Sequence, residues 1–266
     1  MTEVQSALIA PILRFSSIPH VLWYAHTSKS LYLLWNNFFV NNIVTSTQGS
    51  CPLRNRKVIP IGQAIDDNKF IFPIKHVIYK KKFVHIGRLD PSKNIQSIID
   101  IVTKFHSKDS GISLNLVGSS SSLKTRQYEL EIKSNNSIKS FITFQGVIPR
   151  IEIPRVLYES DAFIHCFYGS LDKTLIEATM VGIPVISPNR EYVHEFGSWS
   201  NVKLDDVTLE SELEAFFEMS EQNITENCLN KQNYALTHHS YAIWEKRLIT
   251  LFRRFESLEN KLKKNL

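Results

Sequence analysis

Three cations stand out in this sequence because each falls just after an apolar run of strand length. Arg88 and Lys93 lie in Gly87-Arg88-Leu89-Asp90-Pro91-Ser92-Lys93-Asn94, directly after Phe83-Val84-His85-Ile86. Lys173 closes Tyr168-Gly169-Ser170-Leu171-Asp172-Lys173 after the run Ala162 to Cys166, and Glu177 follows about one turn into the next helical stretch. Gly118-Ser119-Ser120 and Gly146-Val147-Ile148-Pro149 follow two further apolar runs. Ligands of parallel α/β sheets sit at the carboxyl ends of the strands. Cations gathered there, beside a helix N-terminus with unpaired amides, suit a diphosphate.

The elements that must position these residues are legible from periodicity. Phe83 to Gly87 reads as a buried strand, with Ile95, Ile98, Ile99, Val102 and Phe105 forming a helical stripe behind it. Ile112 to Gly118 is the next strand, followed by a polar helix near Leu123 to Lys133. Phe141 to Phe144, Ala162 to Cys166 and Pro184 to Ile186 complete the strand set, separated by helices over Ile153 to Glu159 and Thr174 to Val181. Alternation at this spacing predicts βαβ units and a parallel sheet. Residues 1–75 are less regular, with two candidate strands (Val21 to Tyr24, Asn42 to Thr45) and a helix between them. Pro60-Ile61-Gly62 and Asp66-Asp67-Asn68-Lys69 mark an interdomain linker. The C-terminal third is helical, broken near Gly197 and at His238-His239.

Composition removes several classes. Of 266 residues, 43% are hydrophobic and 21% charged, which is a globular balance. The nine glycines are never closer than seven residues, so no G-x-G-x-x-G fingerprint exists, and no Gly-Lys-Ser/Thr is present for a P-loop. H-E-x-x-H, C-x-x-C and G-x-S-x-G are absent as well, and no metal motif survives. Three widely spaced cysteines fit free thiols in a reducing compartment. With no transmembrane run and no signal-peptide pattern, a cytoplasmic location is expected, with the inner face of a membrane as a candidate site of action. The net charge of +5 suits an anionic partner such as phosphate, nucleic acid or a lipid surface.

These segments, in this order, resemble the C-terminal half of the family 4 (group 1) glycosyltransferases, which have the GT-B fold. The match runs through G-R-L-D-P-S-K-N at 87–94, V-G-S at 117–119, F-Q-G-V-I-P at 144–149, Leu157-Tyr158 to Asp161, Leu175-Ile176-Glu177-Ala178 and Gly182-Ile183-Pro184-Val185-Ile186. Upstream, His26-Thr27-Ser28-Lys29-Ser30 is similar to the family's N-terminal histidine segment, and Ile59-Pro60-Ile61-Gly62 with Asp66 to its hinge. The resemblance implies an α/β fold with a complete C-terminal Rossmann-like parallel sheet, helices on both of its faces, and a partial N-terminal Rossmann-like domain. It places a partial acceptor-side domain at 1–75, a nucleotide-sugar-binding domain at 76–240 and an amphipathic helix at 241–266.

The resemblance further implies sugar transfer from a nucleotide-sugar donor to a glycan or lipid-linked acceptor, with retention and without a metal or other cofactor. Arg88 and Lys93 match the pair that holds the donor diphosphate, where fixed positive charge would stabilise the leaving group. Glu177 matches the second glutamate of the E-x7-E motif, which accepts hydrogen bonds from the donor ribose. Gly87, Gly118, Ser119, Val147 and the run Gly169, Ser170, Leu171, Asp172, Lys173 complete the implied donor site. His26 matches a histidine that hydrogen-bonds a sugar hydroxyl or steadies developing charge.

The first glutamate of the motif should stand at position 169, which is glycine, in a G-S-L-D-K variant of the loop. Asp172 is the nearest carboxylate and is in position to cap the following helix. Lys173 and the amides of 170–173 offer alternative phosphate contacts. The family's opening strands and glycine loop have no counterpart before residue 76, so a partner chain completing the N-terminal region is one expectation. A non-catalytic nucleotide-sugar-binding subunit is the alternative to an enzyme, and an epimerase of the same fold a third reading; nucleic acid is not an expected partner. The last helix carries a stripe of Trp244, Leu248, Leu251, Phe255, Leu258 and Leu262 among basic residues, which suits either packing on the protein or peripheral contact with a membrane.

Overall fold

A computed structural model describes residues 2–75 and 79–264, with side chains described as far as residue 257. By contacts the chain divides into one unit of residues 1–65 with 237–266 and a second of residues 66–236. This boundary lies ten residues before the one expected at 75/76, and the final helix belongs to the first unit instead of standing alone. The reason is local: Ile65 donates its N–H to the carbonyl of His239, while Tyr241 donates to the carbonyl of Ile65.

The first unit contains α1 (Thr2–Phe15), β1 (Val21–Trp23), α2 (Leu31–Phe39), β2 (Asn42–Thr45), β3 (Val58–Pro60) and α11 (Tyr241–Lys264). Its strands form a parallel sheet in the order β1-β2-β3, with Ile43 opposite both Leu22 and Val58. Successive side chains of β2 serve opposite faces, as the period of a strand requires. Ile43 packs with Ala10, Leu22 and Leu33 on the side of α1 and α2. Val44 packs with Ile61 and Leu251, joined by Trp244, Leu248 and Phe255 of α11. The stripe of α11 therefore packs on its own unit as far as Phe255; Leu258 and Leu262 lie outside the described side chains. Ser30 starts α2 by accepting a hydrogen bond from the Leu33 N–H at 3.0 Å.

The second unit contains α3 (Asp67–Phe70), β4 (Lys82–Ile86), α4 (Ile95–His106), β5 (Ser113–Val117), α5 (Leu123–Asn135), β6 (Ile142–Gly146), α6 (Ile153–Glu159), β7 (Ala162–Ile164), α7 (Lys173–Val181), β8 (Val185–Ile186), α8 (Arg190–Phe196) and α9 (Leu209–Glu218). α10 (Glu221–His239) begins in this unit and ends in the other. The five strands are parallel in the order β6-β5-β4-β7-β8. The direction of winding reverses at β4, which makes the space beyond β4 and its neighbours the topological switch point. Ile95, Ile98, Ile99 and Val102 of α4 join Leu114, Leu116, Ile164, Leu213 and Phe216 in one core. At about 25 cal/mol per Å² of apolar surface removed from water, such residues supply most of what holds this unit together. Gly182 ends α7 at φ +82°, where a Cβ would lie 2.4 Å from Cδ1 of Ile74. The two-sheet α/β architecture is the expected one. Among the described residues, no helix is long and apolar enough to cross a membrane.

Candidate functional site

The carboxyl ends of β4, β5 and β6 are tied together by their backbones. Gly87 donates its N–H to the carbonyl of Val117 at 3.0 Å, Gly118 to Gly146 at 2.7 Å, and Leu89 to Ser119 at 3.0 Å. Gly118 sits at φ +128°, and a Cβ there would be 1.9 Å from the carbonyl oxygen of Gly87. Only glycine allows the two strand ends to approach this closely. The result is a cleft of about 330 Å³ that gathers Gly87, Arg88, Gly118, Ser119 and Val147 with Ile86, Val117, Ser120, Ile148, Ile153 and Thr174. Five of the predicted residues thus meet at the switch point.

Arg88 keeps its guanidinium 58% exposed, tethered at 3.4 Å to the buried carboxylate of Asp90. Asp90 also accepts the Ser121 N–H at 2.9 Å, so it couples the loop after β4 to the loop after β5. Burial alone would raise its pKa; the Ser121, Thr125 and Arg88 contacts outweigh that and hold the carboxyl below its usual range. The predicted Lys93 is 5% exposed. Its ammonium is ion-paired with Asp172 and lies 4.0 Å above the ring of Phe167.

Asp172 departs from its expected role. It occupies the N-cap position of α7, but its side chain makes no capping hydrogen bond. One carboxylate oxygen instead meets both Lys93 and the ring Nε2 of His165, the latter at 3.3 Å. Lys93 is a stronger partner than a backbone amide, since both groups are charged and withdrawn from water. Burial opposes the charge on Asp172, yet the His165 hydrogen bond and the Lys93 ammonium keep its carboxyl far below the usual range. Burial holds His165 below its ordinary value and hence neutral. Its Nε2–H then donates to Asp172, and Nδ1 faces the Ser187 hydroxyl at 3.2 Å. His165 is fully buried in the core and also touches this site through Asp172.

The loop carrying Gly169, Ser170 and Leu171 is fastened by Asn189, whose side-chain amide donates to the carbonyls of Phe167 at 2.8 Å and Gly169 at 3.1 Å. A Cβ at Gly169 would fall 2.1 Å from Cζ of Phe167. The volume that a glutamate side chain would use is therefore filled by the Phe167 ring. Lys173, the first residue of α7, is exposed.

Glu177, one turn into α7, is 1% exposed. One of its carboxylate oxygens, Oε1, is ion-paired with Arg150, and the guanidinium of Arg150 in turn lies 5.5 Å over the ring of Phe70. Burial pushes the Glu177 carboxyl up against the opposing pull of Arg150. Its other oxygen, Oε2, is buried with no hydrogen-bond partner. The same holds for Oγ1 of Thr174 on α7 and Nε2 of His85 on β4, the elements that border the cleft. Such groups cost about 1–3 kcal/mol each when left unpaired, so these three give the cleft region polar atoms that a ligand can satisfy. His26 lies in the first unit, after β1, exposed and with its ring 5.5 Å from that of Tyr24 in an edge arrangement.

Arg150, Phe167, Asn189 and Asp90 escape the sequence reading. Arg150 directly follows the segment F-Q-G-V-I-P, but its partner Glu177 is 27 residues away and no local spacing links them. Among the described residues, no group of three or more His, Cys, Asp or Glu side chains is placed to hold a metal ion.

Residues 66–196 match the family described as glycosyl transferases group 1. No curated protein matches the sequence. Among solved structures, Anabaena HepE in complex with UDP and glucose is similar at 17% identity and a TM-score of 0.75, covering 95% of this chain and 76% of that one. The pneumococcal O-GlcNAc transferase GtfA, in complex with UDP and GlcNAc, is similar at 14% identity and a TM-score of 0.65, over 92% of this chain and 54% of its own. A glycosyltransferase from Rickettsia africae is similar at 11% identity and a TM-score of 0.65, over 95% of this chain and 81% of its own. At these identities the likeness is one of fold.

Proposed function

We propose that this chain, whose residues 66–196 belong to the group 1 glycosyl transferases, transfers a sugar from a nucleotide-diphosphate donor with retention at the anomeric carbon. The donor class we favour is a UDP-sugar, because HepE and GtfA, which share the fold, were each solved with UDP. The observation that carries the reading is the set of buried polar atoms without partners, Glu177 Oε2, Thr174 Oγ1 and His85 Nε2, on elements bordering the cleft at the switch point.

In this reading the ribose diol donates to the carboxylate of Glu177, whose Oε2 is unengaged and whose Oε1 is steadied by Arg150. The diphosphate lies across the glycine-rich strand ends toward Arg88, with Lys173 and the first amides of α7 as further donors. When the bond from the sugar C1 to the diphosphate oxygen breaks, negative charge develops on the leaving group. A fixed guanidinium beside that oxygen stabilises the transition state more than the ground state. Lys93 adds its charge only by exchanging Asp172 for phosphate. The cations carry the charge of the diphosphate, so the reaction is assigned no metal or other cofactor. His26 is assigned a hydrogen bond to a sugar hydroxyl, and the acceptor class is a glycan or a lipid-linked sugar.

The test is titration calorimetry with UDP, GDP and their sugars on the wild type, Arg88→Ala and Glu177→Ala. Loss of a charge-assisted hydrogen bond is worth about 1.5–3 kcal/mol, so each change is expected to weaken binding by roughly ten- to a hundredfold. Wild-type affinity in both variants sinks the site assignment. A second reading, a subunit that binds the donor without turning it over, is favoured by one observation: Phe167 fills the space of the missing glutamate at Gly169. Donor consumption in the presence of an acceptor panel decides between them.

A further inference from the structure

The α1–α2 pair is built inside out. Its contact is made by small and polar side chains: Ala7 and Ala10 are buried, and the buried Ser6 hydroxyl donates to Oδ1 of Asn36 at 2.6 Å. The Asn36 amide in turn donates to the carbonyls of Glu3 and Tyr32, both at 2.8 Å. The large apolar side chains face outward, with Leu8 73%, Phe15 84% and Leu31 83% exposed and Ile12, Trp35 and Phe38 also on the surface. Leu8, Ile12 and Phe15 on one helix and Leu31, Trp35 and Phe38 on the next repeat at i, i+4 and i+7, and exposed apolar stripes on adjoining helices mark an interaction surface. The indole N–H of Trp35 is satisfied by the carbonyl of Ala7 at 3.0 Å, so its ring can leave water without stranding a donor.

Charge tells what the face meets. Between residues 1 and 65 the cations are Arg14, Lys29, Arg54, Arg56 and Lys57, and the only acid is Glu3. Glu3 sits at the start of α1, engaged by the hydroxyl of Ser30. Two of the cations, Arg14 and Lys57, meet at the opposite end. Arg14 is in the last turn of α1, and Lys57 donates to the carbonyls of Asn37 and Phe38 at the end of α2, at 2.6 and 3.1 Å. Burial, and then the charge of Arg14, lowers the pKa of Lys57, which places the two cations within each other's field. Arg56, exposed, stands next to Lys57 in the chain, while Arg54 donates to the carbonyls of Gln48 and Cys51 in its own loop.

We propose that the outer face of α1 and α2 docks on an anionic lipid bilayer, with Leu8, Ile12, Phe15, Trp35 and Phe38 entering the headgroup boundary and the Arg14–Lys57 rim meeting lipid phosphates. An apolar helical face with a basic border is the pattern of an interfacial anchor. An anionic bilayer surface neutralises the basic rim and at the same time takes the apolar face out of water. The peripheral contact expected of the last helix thereby moves to the other side of the same sheet, since the α11 stripe packs inward as far as Phe255.

The experiment is flotation of the full chain with vesicles of phosphatidylcholine alone and with 30% phosphatidylglycerol added (about one lipid in three charged). Binding to the anionic vesicles, weakened by salt, is expected. Arg14→Glu with Arg56→Glu should weaken it at least tenfold, and Leu8→Ser with Ile12→Ser and Phe15→Ser should abolish it. Ile138→Ser, at an equally exposed position of the second unit, should leave it unchanged. Absence of binding, or binding indifferent to both sets of changes, overturns the proposal. So does self-association that the apolar variant abolishes, in a chain that ignores vesicles. If the apolar variant fails a circular-dichroism melt, the charge variant carries the test. Donor calorimetry on the same variants should match the wild type, which keeps this result separate from that of the transferase reading.

Discussion

Lys93 and Asp172, 79 residues apart, form an ion pair between the segments that follow β4 and β7, with the ammonium also resting on the ring of Phe167 at 4.0 Å. Neither charge is free in this state. Removing one partner of a withdrawn pair strands the other and costs about 3–5 kcal/mol. Asp172→Asn is therefore expected to lower unfolding free energy in denaturant by about that amount. The same change releases Lys93 from its internal anion, so it should tighten binding of UDP in calorimetry. A variant that is less stable and binds UDP less well would show that Lys93 does not serve the diphosphate.

A second expectation concerns pH. Burial is the main cause that brings both His85 and His239 down to about 3. The unfolded chain has ordinary imidazoles near 6.5. Between pH 6.5 and about 3 the unfolded state therefore holds more protons, and folding stability falls as pH falls through that window. Each group contributes a slope of up to about 1.4 kcal/mol per pH unit. His85→Gln keeps a donor for the carbonyl of Ile164, which Nδ1 of His85 now meets at 2.9 Å, and removes the titration. Denaturation at pH 7, 6 and 5 should show a shallower decline in this variant than in the wild type. Parallel declines would mean that His85 is not the neutral, buried group described.

How much of this was legible in the sequence depended on whether the deciding interaction was local. The strands from Phe83 to Ile186 were readable because each is a short apolar run closed by glycine or a polar turn. Helix α1 was missed because its large apolar residues face outward and its inner face is Ser6, Ala7 and Ala10, the reverse of the pattern that marks a core helix. Strand β3 was hidden by its length of three residues and its terminal Pro60. Asp172 looked like a cap because caps are local, and its true partner comes from a loop three strands away in the chain. Gly87, Arg88, Gly118 and Ser119 were found because strand ends can be located from strand starts. Arg150 was not, because nothing near it in sequence names Glu177.

Gly169 offers a third test. Restoring the glutamate that the family motif expects there, Gly169→Glu, drives the new Cβ into the Phe167 ring at 2.1 Å. Phe167 must then move off Lys93, so the change is expected to cost stability by overpacking, about 1–3 kcal/mol, without raising turnover. Combining it with Phe167→Ala vacates the space and should recover part of that loss in a thermal melt. If Gly169→Glu alone is neutral in stability, the Phe167 ring is not the occupant of that volume.

The Arg150–Glu177 pair yields the last expectation. Glu177 is buried, its pKa is raised by burial, and Arg150 is the group that opposes the rise. As a ribose acceptor it must be ionised, since a neutral carboxyl exchanges an acceptor site for a donor. Replacing Arg150 with methionine keeps a long side chain over Phe70 but removes the charge. The carboxyl pKa then climbs further, and the carboxylate form is lost at a higher pH than in the wild type. UDP affinity of Arg150→Met should accordingly fall on going from pH 8 to pH 6, where the wild type is expected to be flatter, while affinity at pH 8 suffers less. Arg150→Lys restores a positive charge and should restore most of the flat profile. A purely structural role for Arg150 would weaken binding equally at every pH, and lysine rescue would not depend on charge. Calorimetric titrations of the three proteins across that pH range distinguish the two outcomes.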